Sequence, residues 1–526
     1  MTQPPSTDAA RLRHIVAVSV AGLLFGLLAL LVRVGWTPLN NVDTSVAHWF
    51  NDLVAPNPDV VRALNAVTRL GSWGLMLWLV ALAAIVLASR RQVRLAAFLV
   101  VSATGAAILD PGLKALIGRL RPEVPSPVAF GEGSSFPSGH TLNSFVCYGA
   151  LVLVFLPALS PRGRRVLLGL VATLLGLIGL TRVMLGVHYV SDVVGAWCVG
   201  VAWLGLTVFA FELFRSRHGR PVSEPLAEGL EPEAAADVSP TGDAPPGRGD
   251  GILRLAALVL VGLVLTFGLV VGWGELIKLG GDNLLGDRAI PQWFADHRTP
   301  GWDDVSFFWS QAGNTHAIMA VGLISGALAL GLIRRWRPVL FLVTVMFGEL
   351  ALFLGASAIL GRDRPAVTQL DGKLPTSAYP SGHIAATLCL YAALALLIIP
   401  RFRAWWRWLA LVPAVLMPVL VMLSRFYRGM HHPTDAVGSL LLAAAWVTVC
   451  YLVIRPNHDV ERGTGVGGHL TERGEPGGAD DEHDDQQPPA QAENAAVQAQ
   501  PRVESHDLER SSDSVLATPG HLDNPQ

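Results

Sequence analysis

The sequence predicts an all-α, polytopic membrane protein built from two tandem six-helix transmembrane repeats in parallel orientation, with about twelve transmembrane helices. Three observations predict it. Over 526 residues the chain is 51% hydrophobic and only 15% charged, with a mean hydropathy of +0.44, which makes the bilayer its natural solvent. Twelve apolar runs are long enough to cross a ~30 Å hydrocarbon core. Charged and turn-forming residues also recur at one fixed offset: Arg121 and Arg364, Pro137 and Pro380, Arg182 and Arg425, and Asp192 and Asp435 are each 243 positions apart.

The first six runs lie near 14–33, 73–88, 95–117, 141–159, 166–185 and 193–214, and the second six near 252–273, 316–333, 338–360, 384–399, 406–423 and 436–454. The first run follows Arg11 and Arg13 as a secretory signal would. Its length and the absence of a small-residue cleavage site mark it instead as a retained helix. Residues 1–215 therefore form the first six-span domain and 251–455 the second. Between them 216–250 is rich in proline, alanine, glutamate and glycine, the composition of a disordered linker. Residues 456–526 carry the acidic cluster Asp480, Asp481, Glu482, Asp484 and Asp485 with almost no aromatics, and are expected to be a disordered tail.

An even number of spans per repeat gives both copies the same orientation. Arginines gather after even-numbered spans, at Arg90, Arg91 and Arg94, at Arg162, Arg164 and Arg165, and again at Arg334, Arg335, Arg337, Arg401, Arg403 and Arg407. Because cytoplasmic loops are enriched in basic residues, this places both termini, the linker and the tail in the cytoplasm of a multi-pass cell-membrane protein. With 39 basic and 41 acidic residues there is no basic excess for nucleic acid. The four cysteines, Cys147, Cys198, Cys389 and Cys450, sit in apolar runs and suggest neither a disulfide nor a metal site.

The residues that carry chemistry lie in or beside the outward loops. Lys114 and Arg121 are seven apart, two helical turns, so they are expected on one face where the third span ends. Pro137, Ser138, Gly139 and His140 directly precede the fourth span, where a helix N-terminus with exposed amides makes an anion site. Arg182, His188 and Asp192 flank the loop between the fifth and sixth spans. A carboxylate four residues from an imidazole can hold the ring in one tautomer, and Gly186 allows the chain to turn before it. The same set recurs as Arg364, then Pro380, Ser381, Gly382 and His383, then Arg425, Gly429, His431 and Asp435. Two histidines, two arginines, a lysine and an aspartate converging at one membrane surface mark a functional site, because stray charge there is costly.

These three segments resemble the signature of the type 2 phosphatidic acid phosphatase family, within the superfamily of bacterial acid phosphatases and vanadium haloperoxidases. The pattern is lysine, six residues, Arg-Pro; then Pro-Ser-Gly-His; then Ser-Arg, five residues, His, three residues, Asp. The first repeat departs from it only in Thr181 for serine. The second has Ser357 at the lysine position; Arg362 is near in sequence but faces elsewhere on a regular helix.

The resemblance implies a metal-independent, cofactor-free membrane hydrolase acting on a lipid phosphomonoester or diphosphate, of the phosphatidic acid, phosphatidylglycerophosphate or polyprenyl diphosphate type, at the outer leaflet. It implies His188 as the nucleophile that becomes a phosphohistidine, Asp192 as its orienting partner and His140 as the general acid. Lys114, Arg121, Ser138, Gly139 and Arg182 would bind phosphate. The second set would be His431, Asp435 and His383 with Arg364, Ser381, Gly382 and Arg425. Transfer of the phosphoryl group to an acceptor lipid, or transport by two parallel repeats, are the alternatives.

Overall fold

A computed structural model describes residues 7–220, 223–239, 250–281, 284–372 and 374–461. The first repeat comprises α1 (Thr7–Arg33), α2 (Thr37–Val54), α3 (Pro58–Arg69), α4 (Trp73–Ser89), α5 (Val93–Ile117), α6 (Gly139–Phe155), α7 (Pro161–Met184) and α8 (Val190–Arg217). Two single-turn helices follow, α9 (Pro225–Glu228) and α10 (Ala235–Val238). The second repeat comprises α11 (Asp250–Gly280), α12 (Ala289–Asp296), α13 (Pro300–Ala312), α14 (Thr315–Leu332), α15 (Trp336–Leu360), α16 (Gly382–Ile398), α17 (Leu411–Tyr427) and α18 (Pro433–Ile454), with α19 (His458–Glu461) after it.

Among the described residues eleven segments are long and apolar enough to span a membrane, and the 17-residue α16, at the tenth run, is a shorter apolar helix that completes the twelve. The all-α, two-repeat membrane architecture is as the hydropathy predicts. Four helices were not foreseen: α2, α3, α12 and α13, between the first and second span of each repeat. Three of them, α3, α12 and α13, have only 8 to 13 residues, and α2, α3 and α13 carry proline in the first turn, where its missing N–H costs nothing.

Within each repeat one helix is central. Helix α6 packs against α4, α5, α7 and α8, and α16 against α14, α15, α17 and α18. The first residue of each central helix is the glycine of the Pro-Ser-Gly-His segment, so the fold puts that turn at the middle of one end of the bundle. A second shared device joins α8 to α5. Trp203 lies over Gly105, where a Cβ would come within 1.9 Å of the indole, and its Nε1 donates to the Ser102 carbonyl at 2.9 Å. Trp446 repeats this over Gly348, donating to Val345 at 3.0 Å. The repeats meet along α4 and α14, where Gly331 has no room for a Cβ beside Ser89 and Arg90 donates to the Leu330 carbonyl at 2.7 Å.

The segment expected as a disordered linker is folded where it is described. Helix α8 continues to Arg217, and within 223–239 the residues Leu230, Ala234 and Val238 are buried against the first repeat's core. Leu230 lies in the bend before Pro232, Ala234 in a single 3-10 turn and Val238 at the end of α10, so the three reach the core from successive short elements. Glu231, also buried, lies 3.2 Å from Arg94, and Glu233 lies 2.9 Å from Arg215. Overall composition hid this: three buried apolar residues and acids matched to the bundle's arginines hold a proline-rich stretch against the first repeat. Residues 221–222 and 240–249 of the linker, and 462–526 of the tail, lie outside the described residues.

Candidate active sites

A glycine ends the helix that carries Lys114. Gly118 takes the left-handed conformation at φ 68°, as Gly361 does at φ 56° after α15, and only glycine adopts it without cost. Lys114 is therefore in the last turn of α5, paired with Asp110 at 2.9 Å, whereas Arg121 stands in the loop beyond. The expectation of both cations on one helical face fails for this reason. Arg121 reaches the site as a cross-brace instead: its Nε donates to Gly133 at 3.1 Å, its Nη2 to Glu132 and its Nη1 to Val187, both at 2.7 Å. Arg364 is held likewise by the Met430 and Thr376 carbonyls at 2.7 and 3.1 Å.

Ser138 and Ser381 are the N-caps of α6 and α16, each reached through a cis peptide to the preceding proline, and neither side chain caps the helix. Ser138 Oγ accepts from Thr141 at 3.0 Å, and the buried Ser381 Oγ has no partner among the described residues. The first amides of both helices are thus left without a side-chain acceptor, at the positive end of the dipole. A Cβ on Gly139 would lie 2.5 Å from Asp110, which places the Lys114–Asp110 pair directly beside this turn.

His188 follows the turn at Gly186 (φ 72°), and His431 that at Gly429 (φ 71°). The Nδ1 of His188 donates to the Ser135 carbonyl at 2.8 Å and stands 3.4 Å from Asp192 Oδ2. His431 Nδ1 donates to Ala378 at 2.7 Å, with Asp435 at 3.7 Å. A backbone carbonyl, more than the aspartate, sets the tautomer. It leaves Nε2 of His188 as an acceptor, and Arg121 Nη1 lies 3.2 Å from it. Burial is the largest influence on the His188 ring and outweighs the Asp192 hydrogen bond, so its pKa is lowered and the ring stays neutral at pH 7.

Asp192 does other work. Its Oδ2 accepts from the Tyr189 amide at 2.9 Å, closing the start of α8, and its Oδ1 accepts from Arg119 at 2.8 Å. Arg119 also pairs with Asp43 of α2 at 2.8 Å, and Asp43 in turn accepts from the Ser191 amide at 3.1 Å. The second repeat copies this clasp. Arg362 binds Asp435, Thr434 (2.7 Å) and Asp287 (2.6 Å). Arg362 is therefore the counterpart of Arg119, 243 positions on, and does not replace the missing lysine. Its carboxylate partners leave it no part in a phosphate cradle. Sequence reasoning missed Arg119, Asp43 and Asp287; the repeat of Arg119 as Arg362 was the available signal.

Arg182 donates to Thr68 of α3 at 3.0 Å and Arg425 to Ser310 of α13 at 2.6 Å, so two of the unforeseen helices anchor Arg182 and its counterpart Arg425. Arg182 Nε and Arg425 Nε and Nη2 are buried without hydrogen-bond partners among the described residues. His140 senses the charges of Arg182, His188, Lys114 and Arg121, and His383 those of Arg425, His431, Asp371 and Arg364. Each predicted set thus gathers around the N-terminus of a central helix: cations, bare amides and an imidazole whose Nδ1 is held by a backbone carbonyl, with Nε2 of His188 accepting from Arg121, an arrangement able to hold an oxyanion against a nucleophile. Ser357, at the lysine position, is bound to Ser377 at 3.0 Å and offers no charge.

The family model of the PAP2 superfamily matches residues 94–215 and 338–459. Phosphatidylglycerophosphatase B of Bacillus subtilis (strain 168) is 36% identical over 99 residues, 18% of this chain and 47% of that protein, so the chain spans about half the length of this curated relative. The crystal structure of the first transmembrane PAP2 type phosphatidylglycerolphosphate phosphatase from Bacillus subtilis is 24% identical, with a TM-score of 0.34 over 37% of this chain and 96% of its own.

Proposed function

From a chain that carries two domains of the PAP2 superfamily, we propose a lipid phosphate phosphatase, a metal-independent hydrolase whose first repeat does most of the work. One observation carries the reading. His188 presents a neutral Nε2 beside Arg121, with its Nδ1 proton fixed on a backbone carbonyl, at the N-terminus of α6. That is the state in which an imidazole attacks phosphorus.

In the proposed reaction the bound phosphate's negative charge offsets the surrounding cations so that His140 carries a proton; Nε2 of His188 then bonds to phosphorus as the phosphorus–oxygen bond to the lipid breaks, and His140 gives that proton to the departing oxygen. Water then attacks the phosphohistidine, yielding inorganic phosphate and returning a proton to His140. Lys114, Arg121, Arg182, Ser138 and the Gly139 amide hold the phosphoryl oxygens and answer their charge in the transition state. Asp192 positions the loop that carries His188. His383, His431 and Asp435, with Arg364, Ser381, Gly382 and Arg425, repeat these roles in the second site.

The substrate is a membrane lipid phosphate, since the site stands at the ends of helices long and apolar enough to span a bilayer. The name of the Bacillus subtilis relative puts phosphatidylglycerophosphate among the candidates, with phosphatidic acid and polyprenyl diphosphate. The arginine-rich loops favour sites facing outward. Purified protein in excess chelator is expected to release inorganic phosphate from at least one of these lipids, and intact cells to do so from an added short-chain analogue that does not cross the membrane. Loss of release with chelator would remove metal independence. Release from cells only after permeabilisation would place the sites on the cytoplasmic side.

A further inference from the structure

The two sites differ by an exchange of ion pairs. Where the first repeat has Lys114 and Asp110, the second has Ser357 and Phe353; where the first has Val128 and Leu185, the second has Asp371 and Arg428, each 243 positions on. The loop between Arg364 and Pro380 has the same length as that between Arg121 and Pro137, so these are equivalent places.

The acquired carboxylate is inside the cradle. Asp371 Oδ2 accepts from Nη1 of Arg425, the counterpart of Arg182, and its Oδ1 accepts from Nε of Arg428 at 2.7 Å. Its charge reaches His383 and Arg364 as well. Arg428 is fixed by donating to Asp303 O at 3.2 Å, Ser306 Oγ at 3.1 Å and Leu370 O at 3.3 Å, which holds the carboxylate in turn. Burial acts to raise the Asp371 carboxyl, but Arg425 and Arg428 outweigh it and keep it below the ordinary range, hence ionised. In the first site Arg182 Nη1 donates to the neutral Thr68 hydroxyl and meets no carboxylate among the described residues, and Asp110 is bound to Lys114 instead.

An oxyanion held between two guanidiniums is how arginine binds phosphate. We propose that Asp371 closes the second cradle from within: its carboxylate occupies Arg425 in place of a phosphoryl oxygen, so an incoming phosphate must displace it or share the site with a like charge. The proposal rests on reading the second repeat as a phosphate site. It makes Asp371, with Ser357, the determinant of unequal repeats.

The test uses full-length protein with His188→Ala, in which turnover can pass only through His431. Adding Asp371→Asn, which keeps the shape and an acceptor for Arg428, is expected to raise residual phosphate release at least tenfold and to lower the orthovanadate concentration that inhibits it by a similar factor. Melting temperature is followed alongside to show that the fold persists, and adding His431→Ala must abolish the gained activity. Unchanged turnover in folded Asp371→Asn protein, or a gain that survives His431→Ala, overturns the proposal. Full activity of the His188→Ala protein would instead overturn the first-site reading, a separate result.

Discussion

Purified His188→Ala protein is expected to lose at least about a thousandfold in kcat on a lipid phosphate, because removing a nucleophile leaves only binding and electrostatic assistance. His431→Ala, assayed on the same lipid, is expected to keep nearly all of it. The asymmetry follows from charge. The first cradle joins Lys114 to Arg121 and Arg182, with Asp110 drawn aside onto the lysine. The second has a neutral Ser357 bound to Ser377, and its Arg425 is already matched by Asp371. Loss of a single preorganised donor costs about 10²-fold in comparable sites. Should His431→Ala abolish turnover while His188→Ala spares it, the assignment of the working site is wrong.

Arg119→Leu is expected to damage both fold and turnover, although Arg119 is outside the familiar motif. Its guanidinium bridges Asp43 and Asp192, which are 1% and 0% exposed, and Asp192 in turn holds the turn that carries His188. Removing the cation leaves two buried carboxylates facing each other, a change that costs about 3–5 kcal/mol where it has been measured. The measurement is thermal unfolding in detergent beside kcat, with at least a tenfold fall in kcat. Arg119→Lys is expected to recover only part of it, since one ammonium cannot span two carboxylates as the planar fork does. Wild-type melting and turnover in Arg119→Leu would show that the clasp positions nothing.

The transmembrane helices are legible because a span needs only length and apolarity, and the candidate site residues can be picked out because the same residue types recur 243 positions apart. What was hidden needed contacts remote in sequence. Arg119 meets Asp43 across 76 positions and Arg182 meets Thr68 across 114, so the polar residues of α2 and α3 gave no local sign of their use. Arg121 was placed on a helix by its spacing from Lys114, but a single glycine at 118 ends that helix first. The spacing assigns the Asp192 carboxylate to the imidazole, and its Oδ2 does stand 3.4 Å from Nδ1, but the Ser135 carbonyl, 53 positions from His188, shares that proton at the shorter distance of 2.8 Å. The linker's Glu231 and Leu230 looked like loop composition until the bundle supplied Arg94 and an apolar surface for them.

The central claim is covalent: phosphate passes through the Nε2 of His188. Mixing purified protein with lipid labelled in its phosphate and quenching within a turnover measures it directly. The expected result is a phosphoprotein that is stable in base and labile in acid, as a phosphoramidate is, with the label in the peptide that carries His188 and absent from the His188→Ala protein. Label that persists undiminished in His188→Ala, or that resists acid as a phosphoester does, would contradict the account.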